Sequence, residues 1–283
     1  MSETEIVSNN RVPGSMTQVG ITMKYTFLDY FRSRRFFILL IITLLITALL
    51  TILVGYYRPQ SFLASDLSFY GSWWGNSVTF VIILSGIFFG GDAISGEFQN
   101  KTGYFGIPNP IRRSSIYIGK WLAAFVAATA ILGVFTVITV GNGIYYFGAN
   151  VPYQFAESVL FALVYLAGVL GLTFFFSSLF KSSSMSIIVT AILFLFVFSL
   201  LQTLVATLVK IEPWFILTYG AGIIGNVLTV PYPEHIHTET FGGGRISITT
   251  YNATIPEGIA ILGLYFVVTV VLGLLFFERK EFT

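Results

Sequence analysis

Six stretches of the chain carry no charged side chain: 36–57, 67–91, 121–156, 158–180, 182–209 and 258–277. A hydrocarbon layer ~30 Å thick is crossed by roughly 20 apolar residues wound as a helix, and every one of these windows is long enough. Lipid offers no hydrogen-bond partner to the backbone of an open strand, so helices are the available spanning form. The runs are continuous rather than alternating, which argues against a membrane β-barrel. The sequence therefore predicts an all-α polytopic membrane protein with six transmembrane helices, TM1 to TM6, at about 36–56, 74–91, 120–141, 158–179, 184–208 and 258–277.

Composition narrows the function classes. Of 283 residues, 55% are hydrophobic and 10% charged, against about 25% charged in soluble domains. An ordinary soluble enzyme and a disordered chain are excluded, and a net charge of +2 excludes a nucleic-acid binder that works through net charge. The chain has no cysteine, which removes disulfides, thiolate zinc sites and a Cys nucleophile.

A seventh apolar stretch, 213–230, reads differently. Gly220, Gly222 and Gly225 break it, Pro213 precedes it, and Pro231 and Pro233 follow. It is expected to enter the bilayer and turn back rather than cross. With six spans and the N-terminus inside, Arg11, Lys24, Arg32, Arg34, Arg35, Lys101, Arg112, Arg113, Lys120, Lys181, Arg279 and Lys280 fall on the cytoplasmic side, against Arg58, Lys210 and Arg245 outside. That asymmetry predicts an N-in, C-in topology in the cell membrane. Trp73, Trp74, Trp121 and Trp214 sit at span ends, where indoles are expected at interface depth. The first apolar run begins only at Phe36 and exceeds a signal-peptide core, so TM1 is expected to stay as an anchor.

The connecting segments carry the remaining information. In 17–35, Val19, Met23, Phe27, Tyr30 and Phe31 recur every three or four residues among basic side chains. This predicts an interfacial amphipathic helix before TM1, so that 1–35 form a cytoplasmic tail and elbow and 36–283 the membrane domain. Residues 92–120 make the longest cytoplasmic loop, with Asp92, Glu97, Lys101, the Pro108-Asn109-Pro110 break, Arg112 and Arg113. Topology alone explains the basic residues but not the acids and prolines, so a partner-docking role is expected.

The outer connection, 209–257, continues past the re-entrant stretch into two alternating runs, 234–240 and 245–251, around Gly242-Gly243-Gly244. That pattern predicts a small β-hairpin. His235 and His237, the only histidines, would share a strand face and could meet a metal with Glu234 or Glu239, although a plain solvated hairpin with no metal is the favoured reading. Asn252-Ala253-Thr254 is a glycosylation sequon, which makes Asn252 a possible acceptor.

Several chemistries are missing. There is no G-x-x-x-x-G-K-[ST], H-E-x-x-H or G-x-S-x-G. No ionisable side chain lies at mid-span, where ion-coupled carriers usually place theirs. The chain is not expected to be an enzyme by itself or to hold a cofactor. Gly86 and Gly90 in TM2, and Gly119, Ala123 and Ala127 entering TM3, form small-residue stripes that allow close helix approach. Packing within one subunit is favoured over a subunit interface.

By this layout the chain resembles the ABC-2 family of transporter permeases. The sequence-level likeness is concentrated in 92–120, where Glu97, Thr102, Pro110, Arg113, Gly119 and Lys120 fall in the order of the family's loose motif. Lys101 stands where the family commonly has Gly. The resemblance implies a permease subunit paired with a second copy or a paralogue and driven by separate ABC ATPase subunits that hold the ATP and Mg. Residues 92–120 would act as the coupling element, with Glu97, Thr102, Pro110, Arg112 and Arg113 at the ATPase contact. It also implies export of an amphiphilic or hydrophobic cargo, which the uncharged spans suit. Two other readings compete: a non-transporting membrane scaffold or force-transmitting subunit, and a secondary carrier.

Overall fold

The computed structural model describes residues 14–100, 112–241 and 246–280. Helix α1 (Ser15–Arg32) ends at Ser33, whose extended backbone turns the chain (φ −75°, ψ 145°). The Ser33 hydroxyl then accepts from the Phe36 N–H at the start of α2 (Arg34–Tyr57). One residue thus closes the first helix and caps the second. Helix α2 stops at Arg58 in the left-handed region (φ 43°).

Two short helices follow, α3 (Gln60–Leu63) and α4 (Asp66–Tyr70), the latter capped by Ser65. A π-helical turn at Gly71–Gly75 leads into α5 (Asn76–Gly90), and a tight turn separates α5 from α6 (Ser95–Gln99). Next come α7 (Arg113–Phe147) and α8 (Tyr153–Leu179). A further span is built from α9 (Ser183–Ile192), α10 (Phe198–Leu204) and the π-helical turns after each. Helices α11 (Leu217–Gly220) and α12 (Ile223–Asn226) have four residues each. Strands β1 (Ile236–Phe241) and β2 (Ile246–Tyr251) pair antiparallel, with Ile236 opposite Tyr251. Helix α13 (Ile255–Arg279) opens with a Thr254–Glu257 capping box and Pro256 in its first turn.

Among the described residues six helical segments are long and apolar enough to cross a membrane: Arg34–Tyr57, Asp66–Gln99, Arg113–Phe147, Tyr153–Leu179, Ser183–Val209 and Ile255–Arg279. The expected spans lie inside these, and the hairpin stands where the alternating pattern put it. The helices overrun the apolar windows most in α7, where 35 residues reach about 50 Å at 1.5 Å per residue. Charge ends a membrane window but not a helix. The stretch 213–230 contains only the two four-residue helices, too short to span.

Burial divides the bundle. In Asp66–Gln99, 67% of the most apolar window is buried, and in Tyr153–Leu179, 56%. In Arg34–Tyr57, Ser183–Val209 and Ile255–Arg279 the figure is 22%. Helices α5 and α8 are therefore the core. Helices α2, α10 and α13 turn Leu45, Ile52, Leu200, Leu264 and Val267 outward, a belt of apolar surface suited to lipid or to another protein. Gly86 and Gly90 of α5 press against Val169 and Thr173 of α8, where a Cβ would collide. Gly119 of α7 meets α1 instead, with a Cβ position 2.7 Å from Thr22 Cβ and 2.9 Å from Val19 O. Ala123 and Ala127 are fully buried.

Two of the tryptophans are packed inside the bundle. Trp73 and Trp74 are completely buried: Trp74 is stacked on Phe135 and donates to Ser158 Oγ at 2.9 Å. They are core side chains, within the π-helical turn. Trp214 is exposed.

Helix ends gather in two groups. The starts of α2, α7 and α9 meet the ends of α5, α8 and α13 through hydrogen bonds. This is the loop end, flanking 101–111. At the opposite, hairpin end, Tyr70 packs on Gly143, Ser158 holds Ile224, and Tyr251 reaches Lys210. Successive spans therefore alternate in direction, and the described N- and C-terminal residues lie at one end.

Candidate functional site

At the loop end the chain leaves α5 through a turn that cannot satisfy its own backbone. The Ser177 hydroxyl of α8 supplies the acceptor, taking the N–H groups of Ile94 and Ser95 at 2.9 and 3.0 Å. The Asp92 carboxylate meets the Arg35 guanidinium of α2 at 2.6 Å. Tyr30 of α1 donates to the Phe89 carbonyl at 2.8 Å. Glu97 of α6 pairs with Lys120 of α7 at 2.6 Å, and the same ammonium donates to the Ala93 carbonyl at 2.9 Å. Glu97 and Lys120 side chains are 22% and 16% exposed, so the pair is shielded more than a surface ion pair.

The other flank of 101–111 is tied as firmly. The Arg112 N–H donates to Gln18 Oε1 at 3.1 Å. Arg113 Nη1 donates to the carbonyls of Glu278 and Lys280 at 2.9 and 2.8 Å, capping α13. Lys280 in turn donates to the carbonyls of Ser178 and Phe180 at the end of α8, with its ammonium 4.3 Å above the Phe98 ring. A cation is favoured at a helix C-terminus, where carbonyls lack partners. Gln99 Oε1 accepts the Ser183 N–H at 2.7 Å, serving the start of α9. A cavity of about 590 Å³ opens between α1 and these flanks, lined by Thr22, Asp29, Arg35, Asp92 and Glu97 among others.

Of the expected coupling residues, Glu97 and Arg113 thus meet the chain's own groups, and the Arg112 side chain is exposed. Thr102 and Pro110, together with Lys101, lie outside the described residues. Sequence reasoning missed Ser177, Gln18 and the Arg35–Asp92 pair. Asp92 is visible as an acid directly after an apolar run, but nothing local names its partner.

At the hairpin end, 217–226 is fastened from beneath. Ser158 Oγ receives the Trp74 indole N–H and donates to the Ile224 carbonyl at 2.6 Å. Gly75 and Gly225 let two backbones touch: a Cβ on Gly75 would lie 3.2 Å from Gly225 Cα. Tyr265 donates to the Phe215 carbonyl at 2.6 Å, and Tyr232 to Ala253 at 2.6 Å. His235 does not pair with Glu234. Its Nε2 lies 3.4 Å from Glu212 Oε2, and its ring shares a pocket with Glu257. His237 is the histidine near Glu234, at 3.8 Å. Asn252 turns its Nδ2 to the Glu234 carbonyl at 2.9 Å.

The family model described as ABC-2 family transporter protein matches residues 23–282, from within α1 to beyond the end of α13. No curated protein matches the chain.

Proposed function

The chain belongs to the ABC-2 family of transporter proteins, and from that premise we propose that it is the permease subunit of an ATP-driven exporter of amphiphilic cargo. As a multi-pass membrane component of an ABC-2 transporter, it is of a kind that lacks an ATPase domain and implies an ATPase partner. The finer reading is that separate ATPase subunits seat under residues 92–120 and drive the spans from there. A second copy or a paralogue completes the pathway, covering part of the apolar belt. Residues 1–35 serve as tail and elbow, and 36–283 as the membrane domain. The loop end, with Arg32, Arg34, Arg35, Arg112, Arg113 and Lys120 near it, is placed in the cytoplasm by the positive-inside rule.

The observation that carries this reading is the bracing of both flanks of 101–111. Through Ser177, Arg35, Lys120, Gln18, Gln99 and Arg113 they are bonded to α1 and to every span. A push on the segment between them would move the bundle rather than bend a free loop. Such a push switches the pathway only if nucleotide state changes the relative stability of two permease conformations. Glu97, in this reading, positions the coupling segment through Lys120. Arg112 faces the partner, and Thr102 and Pro110 belong to the contact between them.

Arg112→Glu is the clean test, because the Gln18 bond uses only the backbone N–H. Arg112→Glu/Arg113→Glu is the stronger variant. Each should reach the membrane, and the double variant should lose most of the ATPase that co-purifies with the wild-type chain. Undiminished ATPase association and coupled hydrolysis in the double variant would refute the docking assignment. Wild-type chain that brings down other membrane proteins but no ATPase would favour the scaffold reading.

A further inference from the structure

We propose that Glu212, His235 and Glu257 form a binding site for a divalent transition-metal ion of the zinc class at the hairpin end of the molecule. One ligand atom from each residue lies within 4.8 Å of the others, and all three side chains are partly buried. The 3.4 Å between His235 Nε2 and Glu212 Oε2 is close to the edge of a tetrahedron whose metal–ligand bonds are ~2.0–2.1 Å.

Each donor is aimed by a neighbour. The Asn252 carbonyl lies 2.9 Å from His235 Nδ1. A proton there fixes the tautomer that leaves the Nε2 lone pair free. Tyr219 donates its hydroxyl to Glu212 Oε1, leaving Oε2 to the centre. The Thr254 N–H binds Glu257 Oε2 at 3.2 Å, leaving Oε1. Such outer contacts orient ligands and raise their basicity. Two carboxylates and an imidazole, with a fourth position for water, suit zinc; calcium takes six to eight oxygens, and magnesium keeps several waters.

The ion would join three separate segments: the linker after α10, the start of the hairpin and the first turn of α13. It would hold the hairpin down beside 217–226. The site does not depend on a transport role for the chain.

The test uses the full chain in detergent, stripped of metal, titrated with Zn²⁺ by calorimetry and with Co²⁺ by visible absorption. One saturable equivalent per chain and the absorption of a tetrahedral cobalt site are expected. His235→Ala and Glu257→Gln should each weaken zinc binding by about tenfold or more, whereas His237→Ala should change it by no more than about twofold. The Gln variant keeps a side-chain oxygen for the Thr254 cap. Absence of saturable binding, or wild-type affinity in both variants, would overturn the proposal. If the variants fold poorly, the wild-type chain is treated with diethyl pyrocarbonate. Zinc should then protect His235 but not His237, and equal modification with and without zinc counts against the site.

Discussion

At the loop end, charged contacts reach across the molecule. Arg35 to Asp92 and Lys120 to Glu97 tie successive spans together, while Arg113 to the Glu278 carbonyl and Lys280 to α8 join elements 165 and 102 residues apart. At the hairpin end, the contacts of Glu212 and His235 stay within one connection between two spans, and most other bonds there go to backbone carbonyls. Damage at the loop end should therefore spread through the bundle, while damage to the hairpin itself should stay local.

The largest effect is expected from Lys120→Glu. It sets two carboxylates side by side in a shielded position and leaves the Ala93 carbonyl without its donor. Breaking a buried pair costs ~3–5 kcal/mol; with both groups partly exposed here, a loss of about 2–3 kcal/mol is expected. In detergent the chain should unfold at a clearly lower temperature, and Glu97→Lys/Lys120→Glu should recover most of the loss. A Lys120→Glu chain as stable as wild type would remove the contrast between the two ends.

Next is Ser177→Ala, which strips the acceptor from two N–H groups of the turn after α5. An unsatisfied buried group costs ~1–3 kcal/mol, so about 2 kcal/mol should be lost, with faster hydrogen exchange at Ile94 and Ser95 while β1 and β2 are unchanged. Gly119→Val follows. Its new side chain would meet Thr22 and the Val19 carbonyl, and overpacking of this kind costs ~1–3 kcal/mol. Protease sensitivity should rise between α1 and α2; unaltered cleavage would mean that α1 is not held by this contact. Tyr251→Phe removes only the 2.7 Å bond to the Lys210 carbonyl, worth about 1 kcal/mol. Exchange should quicken in 236–251 but not in 92–100, and any spread to the loop end would contradict the local wiring.

The same contrast explains what is legible in the sequence alone. Spans were legible because a charge-free run of about 20 residues has few alternatives in a bilayer, and the hairpin because alternation and Gly-Gly-Gly act locally. The burial of Trp74 was not, since it depends on Phe135, Phe155 and Ser158 arriving from α7 and α8. Among the residues expected to couple, type and order singled out Glu97 and Arg113, but not Lys120 or the Glu278 carbonyl as their partners. Those pairings follow from which helix ends meet, and composition carries no information about that. His235 shows the same limit: Glu234 was its visible neighbour, whereas Glu212 and Glu257 arrive from separate elements.

The smallest effect is expected from the Glu212 charge at the hairpin end, read from its response to acid. Burial pushes the Glu212 carboxyl up, but the hydrogen bond from Tyr219, the pairing with Glu257 and the nearby His235 outweigh it, so the net shift is below the ordinary 4.5, while burial and the same pairing hold the Glu257 carboxyl above it. The folded chain therefore binds the Glu212 proton less readily than the unfolded chain. The stability it contributes is fully present above about 4.5 and is lost as pH falls through the lower folded value. Solvent reaches the group, so the effect should be small. Thermal unfolding of wild type and Glu212→Gln, compared from about pH 7 to about pH 3, reads it together with its effect on Glu257. The two curves should be separated at neutral pH and converge in acid, because protonation makes Glu212 resemble its amide. A separation that stays constant across that range would show that the Glu212 charge does not help hold the hairpin in place.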